Sequence, residues 1–92
     1  MEKEKAVKVI ISGKVQGVGF RFFIEKNAKS NNIKGYVKNL SSGGVEAFFQ
    51  GPGEKVNEMI NLCKKGPLTA NVKNIDIQEQ NPQEFNSFKV TG

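Results

Sequence analysis

The run Lys34-Gly35-Tyr36-Val37-Lys38-Asn39-Leu40-Ser41-Ser42-Gly43-Gly44-Val45-Glu46-Ala47-Phe48-Phe49-Gln50 is the centre of the chain's architecture. Residues 34 to 40 read as a strand. Ser41 to Gly44 are four turn formers, and beyond them Val45, Ala47 and Phe49 alternate with Glu46, Phe48 and Gln50. That alternation has the two-residue period of a strand, and two strands joined by so short a polar turn read as a β-hairpin. N-terminal to the hairpin, Ala6 to Ser12 is short and β-branched, a buried strand. Gly13 to Gly19 carries three glycines in seven residues and reads as a loop. From Phe20 a helix follows: Phe20, Ile24 and Ala28 recur at four-residue spacing with Phe23 beside them, and Asn31-Asn32 ends it. C-terminal to the hairpin, Gly51-Pro52-Gly53 breaks the chain. Val56, Met59, Ile60 and Cys63 then take positions i, i+3, i+4 and i+7 of one helical face, and Gly66-Pro67 stops that helix. Val72 to Ile77 supplies a fourth strand with Ile75 and Ile77 on one face, and Phe88 to Val90 a short fifth.

The order is β-α-β-β-α-β plus a terminal strand. It predicts an α+β fold, a ferredoxin-like βαββαβ sandwich with an antiparallel sheet and two helices on one face. Ninety-two residues suit one domain, 1–92, with its core over about 6–91. Because the sequence begins at Met1 and ends just after the last strand, it reads as a free-standing domain, with a monomer as the default at this size. The fold by itself says little about activity, because unrelated activities share it.

Composition narrows the chemistry. Cys63 is the one cysteine, so an intrachain disulfide is excluded, and the expected compartment is the cytoplasm. Cys63 lies on the apolar face of the second helix and reads as a small core residue. The charged start, Met1 to Lys5, is followed by no apolar run of signal-peptide length, and Val9 to Ile11 is far too short to span a bilayer. The net charge of +5 favours anionic partners, although the lysines are scattered and most of them read as surface solvation. The chain has no histidine. Imidazole bases and every triad built on imidazole are therefore ruled out, and with a single cysteine the chain also lacks the Cys and His ligands of a zinc site, so the expectation is an activity with no metal and no cofactor.

The loop Gly13-Lys14-Val15-Gln16-Gly17-Val18-Gly19-Phe20-Arg21 stands between a strand and a helix. Glycines let successive N–H groups curl toward one centre, and a helix start adds further free donors and a positive dipole end. Arg21 in the first helical turn can reach phosphate oxygens with a bidentate fork. A cation there is unfavourable on dipole grounds, which makes sense if an anion sits between the two positive features. The loop alone fits equally well a tight turn with a surface arginine. It is not a Walker A loop, because Gly19 is followed by Phe20-Arg21, nor a dinucleotide fingerprint, because Phe22 takes the third glycine's place. A cysteine phosphatase would need its thiolate beside this loop.

Taken with Gly35-Tyr36-Val37-Lys38-Asn39, the loop resembles the acylphosphatase family. Residues Gly13 to Arg21 match G-x-V-Q-G-V-x-[FY]-R throughout. A second motif, G-[aromatic]-V-x-N followed by G-x-V and a later G, runs through Gly35, Tyr36, Val37, Asn39, Gly43, Val45 and Gly51. Gly66-Pro67, Ala70 and Val72 also fit, so the resemblance extends from Val7 to Val90. It implies hydrolysis of acyl phosphates, with inorganic phosphate or a similar anion in the loop. It also implies that Arg21 binds the phosphate, that Asn39 orients the nucleophilic water, and that backbone N–H groups of Val15, Gln16, Gly17, Val18, Gly19 and Phe20 form the cradle. Without the motif, Asn39 reads more simply as a strand-end residue bonding the hairpin turn. Several members have Thr after this Asn; here Leu40 stands there, and any hydroxyl contribution from that place is absent. Lys14 and Lys38 flank the two motifs and read as solvated strand-end lysines, with a role in drawing in anionic substrate as the alternative.

Two rival functions remain. An RNA-recognition module shares the element order and would suit the charge, and Lys34-Gly35-Tyr36 begins like its sheet motif, but Val37, Lys38 and Leu40 break that motif. The other is an acylphosphatase-like domain that binds without turnover or serves a larger carbamoyl-handling machine. The sequence retains both signature residues, Arg21 and Asn39, and the expected partners are a small acyl phosphate, with no nucleic acid and no membrane.

Overall fold

The structure, a computed structural model, describes residues 3–92. Its elements are β1 (Glu4–Lys14), α1 (Phe20–Ser30), β2 (Lys34–Asn39), β3 (Val45–Pro52), α2 (Gly53–Lys65), β4 (Asn71–Glu79) and β5 (Phe88–Val90). The strands form one sheet in the order β4-β1-β3-β2-β5. The α+β ferredoxin-like arrangement expected from the sequence is the observed one. β3 extends past the expected break at Gly51: Pro52, which lacks an N–H, closes the ladder opposite Glu4 and is the N-cap residue of α2.

β1, β3 and β4 pair antiparallel, as do β2 and β3, but β5 lies parallel to β2. The sheet is therefore mixed at one edge, not antiparallel throughout. The reason is the route of the chain. β4 lies on one edge and β5 on the other, so residues 80 to 87 must cross the sheet face opposite the helices, and they deliver β5 running the same way as β2. The crossing is pinned on its way. Gln80 donates its N–H to the Ala6 carbonyl at 2.9 Å. The Gln50 amide donates to the Gln83 carbonyl at 2.9 Å and accepts the Gln83 N–H at 2.8 Å. Phe85 packs on Phe48 with ring centroids 5.2 Å apart and on Tyr36 at 6.2 Å. Thus Phe48, on the face opposite Val45, Ala47 and Phe49, is buried as well.

The helix-facing side carries the main core. Val7, Val9 and Ile11 of β1, Val45, Ala47 and Phe49 of β3, and Val37 of β2 point there and are buried against Ile24 and Ala28 of α1 and Val56, Met59 and Cys63 of α2. These are the positions that the two-residue and four-residue periods select. α1 ends in a Schellman arrangement: Asn32 takes a left-handed φ of 56°, and Ile33 donates back to the Ala28 carbonyl at 2.9 Å. Because β1, β2 and β5 run the same way, their C-terminal ends meet at one edge of the sheet. α1 begins at that end of the strands, after the loop of residues 15–19 that follows β1.

Candidate active site

The loop between β1 and α1 is shaped by Gly17 and Gly19, with φ of 71° and 78°. A Cβ at either would meet no atom within 4 Å, so the space in front of them is open while the backbone angle still favours glycine. Gly19 is the N-cap of α1. No side chain caps that helix and no acidic residue stands in its first turn. Among the described residues, no backbone N–H from Val15 to Phe20 has a protein acceptor, and the first such bond into the helix is Phe23 N–H to the Gly19 carbonyl at 3.0 Å.

Two side chains fix the loop from either side. Gln16 Nε2 donates to the carbonyls of Leu40 and Gly44 at 2.7 and 2.8 Å, tying the loop to the hairpin turn. Thr69 Oγ1 donates to the Val18 carbonyl at 2.8 Å. Val15 and Phe20 are buried in the core and anchor the loop's two ends.

A cavity of about 420 Å³ opens at this edge, with Val15, Gly17, Gly19, Phe20, Arg21 and Asn39 in its wall. The structure therefore gathers six of the eight site residues expected from the sequence around one space. Gln16 and Val18 do not line it; their side chain and carbonyl, respectively, make the two ties just described. Arg21 lies in the first turn of α1, and its Nη1 donates to the Gly92 backbone oxygen at 3.1 Å. Asn39 is the last residue of β2, paired with Val45. It shares the helix-facing side with Val37, and its side chain therefore points toward the start of α1. Its Oδ1 is buried and accepts no hydrogen bond. The turn-bonding reading of Asn39 has no support at that oxygen. The turn is closed by Leu40 N–H to the Gly44 carbonyl at 2.8 Å, by Gly43 N–H to the Leu40 carbonyl at 3.1 Å, and by Gln16.

Lys38 points to the opposite side of the sheet. Its Nζ lies 3.8 Å from Glu46 and 5.9 Å from the centre of the Tyr36 ring, outside the cavity wall. Cys63 is buried in α2, and burial pushes its thiol up to about 12, so it is an inert core residue. The sheet face that an RNA-recognition module would use for stacking bases is occupied here by Phe85 over Tyr36 and Phe48. Among the described residues no three His, Cys, Asp or Glu side chains cluster, and no helix is long and apolar enough to cross a membrane. Residues that the sequence reading did not select also line the cavity: Phe22, Glu25 and Val90. Phe22 had one readable signal, as a large aromatic off the Phe20-Ile24-Ala28 face.

Fold and site together define a ferredoxin-like α+β protein with a glycine-shaped loop at a helix N-terminus, facing an arginine and an asparagine. The family model for acylphosphatase matches residues 7–90. An acylphosphatase of Methanothrix thermoacetophila is 40% identical over 84 residues, covering 91% of this chain and 93% of the relative. The structure of an acylphosphatase from Coxiella burnetii superposes with a TM-score of 0.92 at 35% identity, covering 96% of this chain and 93% of that one. A full-length HypF structure in a phosphate- and nucleotide-bound form also matches, with a TM-score of 0.92 at 32% identity, over all of this chain but 12% of that one. The chain belongs to the acylphosphatase family.

Proposed function

We propose that this member of the acylphosphatase family hydrolyses acyl phosphates, with the phosphoryl group held by the Val15–Phe20 backbone and Arg21 and the attacking water oriented by Asn39. The observation that carries the reading is the run of unpaired N–H groups from Val15 to Phe20 on a loop whose residues front the same cavity as Arg21 and Asn39. Gln16 to Gly19 are exposed or half-buried between the buried Val15 and Phe20; converging donors with no protein acceptor make an anion site, and the uncapped start of α1 adds its dipole. Arg21 uses one of its several donors on Gly92 and keeps others for phosphate oxygens.

The substrate's chemistry suits these parts. A carboxylate is a good leaving group and needs little protonation, so a chain without histidine has no deficit here. The transferring group carries its charge on equatorial oxygens, and catalysis is largely positioning and electrostatic stabilisation. Fixed N–H groups and an always-charged guanidinium supply both. The water's oxygen forms a bond to phosphorus, the bridging P–O bond breaks, the carboxylate leaves with the electron pair, and the water's proton passes to a phosphate oxygen. Asn39 is not a base. Its buried Oδ1 lacks a donor, a state that costs about 1–3 kcal/mol, and a hydrogen bond from the nucleophilic water relieves it.

The test is hydrolysis of benzoyl phosphate by the wild type and by Arg21→Ala in the presence of a chelator. Chelator-resistant turnover that falls by a factor on the order of 10² to 10³ in the variant supports the reading. Wild-type activity in a folded Arg21→Ala protein would overturn it.

A further inference from the structure

We infer that Phe22 and Val90 form an apolar subsite for the acyl group, so that the preferred substrates are aromatic or branched aliphatic acyl phosphates. The inference rests on the acyl phosphate reading above and goes on to name the substrate class. Among the described residues four large hydrophobic side chains are exposed, and two of them, Phe22 at 68% and Val90 at 39%, line this same cavity. They come from separate elements: Phe22 from the first turn of α1 and Val90 from the end of β5. A lone exposed apolar residue needs no explanation, but two lining one cavity do.

Chemistry places the acyl group there. The loop and Arg21 address the phosphoryl end. Phe22 follows Arg21 directly, one step further round the same helical turn. The acyl group, joined to phosphorus through the bridging oxygen, extends out of the cradle toward residues that are both cavity wall and solvent-exposed. Apart from the cradle glycines Gly17 and Gly19, those are Phe22 and Val90, and covering them with an apolar acyl group removes their surface from water. The remaining rim side chain is Glu25, whose carboxylate lies 3.3 Å from Lys29 on the next turn. A carboxylate on this wall disfavours acyl groups that carry a second negative charge.

The test separates binding from turnover by using phosphonates, which keep the tetrahedral anion but cannot be hydrolysed. Benzylphosphonate and methylphosphonate are titrated calorimetrically into the wild type, Phe22→Ser and Phe22→Leu. The wild type is expected to prefer the benzyl ligand by about tenfold, the scale of discrimination by a modest hydrophobic contact. Phe22→Ser is expected to reduce that preference to about twofold or less, while Phe22→Leu retains most of it. Equal affinity for both ligands in the wild type, no binding of either, or an undiminished preference in Phe22→Ser would overturn the inference. Acetyl phosphate hydrolysis by the wild type, measured alongside, reports on the acyl phosphate reading independently. Turnover without a benzyl preference sinks only the subsite.

Discussion

The side-chain amide of Gln16 donates to the Leu40 carbonyl at 2.7 Å, and through this bond the glycine loop before α1 is fastened to the hairpin that carries Asn39. The same Nε2 also reaches Gly44 at 2.8 Å. The two halves of the site, one from each motif, are thus held in register by a side chain that does not line the cavity.

Removing that fastening should loosen both. Gln16→Ala loses two hydrogen bonds of about 0.5–1.5 kcal/mol each and should destabilise the protein by about 1–3 kcal/mol in urea unfolding. It should also lower kcat more than it raises KM, because the phosphate contacts remain while the water and the cradle lose their alignment. An unchanged unfolding midpoint would show that the clamp contributes nothing.

Asn39→Ala removes the side chain proposed to position the water and leaves the loop in place. Turnover of benzoyl phosphate should fall by roughly 10² to 10³, with a much smaller change in inhibition by inorganic phosphate. Since Oδ1 has no partner to lose, the variant should be at least as stable as the wild type. A loss of phosphate affinity as large as the loss of rate would assign Asn39 to binding instead.

Gly19→Ala asks whether the loop's backbone angle matters. The added Cβ finds open space, so the penalty is the left-handed φ of 78°, about 1–2 kcal/mol, plus a methyl group standing in the cradle. Calorimetry should show phosphate binding weakened by at least about tenfold while the circular dichroism spectrum is retained.

Cys63 should be silent. With burial holding its thiol near 12, the native protein should resist a disulfide reagent at pH 8 and react promptly only when unfolded. Cys63→Ala should keep full activity. Rapid labelling of the native thiol together with inactivation would contradict this.

Tyr36 predicts an alkaline weakness. Burial, with a 2.6 Å hydrogen bond to Glu46 and its negative charge, raises the phenol from 10.0 to about 12. The unfolded phenol ionises first, so the stabilisation is full below pH 10 and is lost as pH rises toward 12. Tyr36→Phe should therefore be less stable than the wild type near neutrality, and the gap in urea midpoint should close between pH 10 and 12. A constant gap would mean that Tyr36 does not couple folding to pH.

The element order, the helix-facing core and the two motifs are legible in the amino-acid sequence. Each is a local pattern: the period of two in Val7, Val9 and Ile11, the spacing of Val56, Met59, Ile60 and Cys63, and the glycines that permit the loop's positive φ. Features that depend on distant segments meeting emerge only in the folded chain. The burial of Phe48 depends on Phe85, which lies far along the chain and arrives only when residues 80–87 cross the sheet. β5 runs parallel to β2 because that crossing starts at the opposite edge, a matter of strand order that no local period encodes. Gln16 could be placed in the loop from its motif, but its bonds to Leu40 and Gly44 exist only because the parallel β1 and β2 end at the same edge. The pairing of Phe22 with Val90 has the same origin: a helix start and a strand end become neighbours when the sheet closes its order, and the sequence separates them by most of the chain.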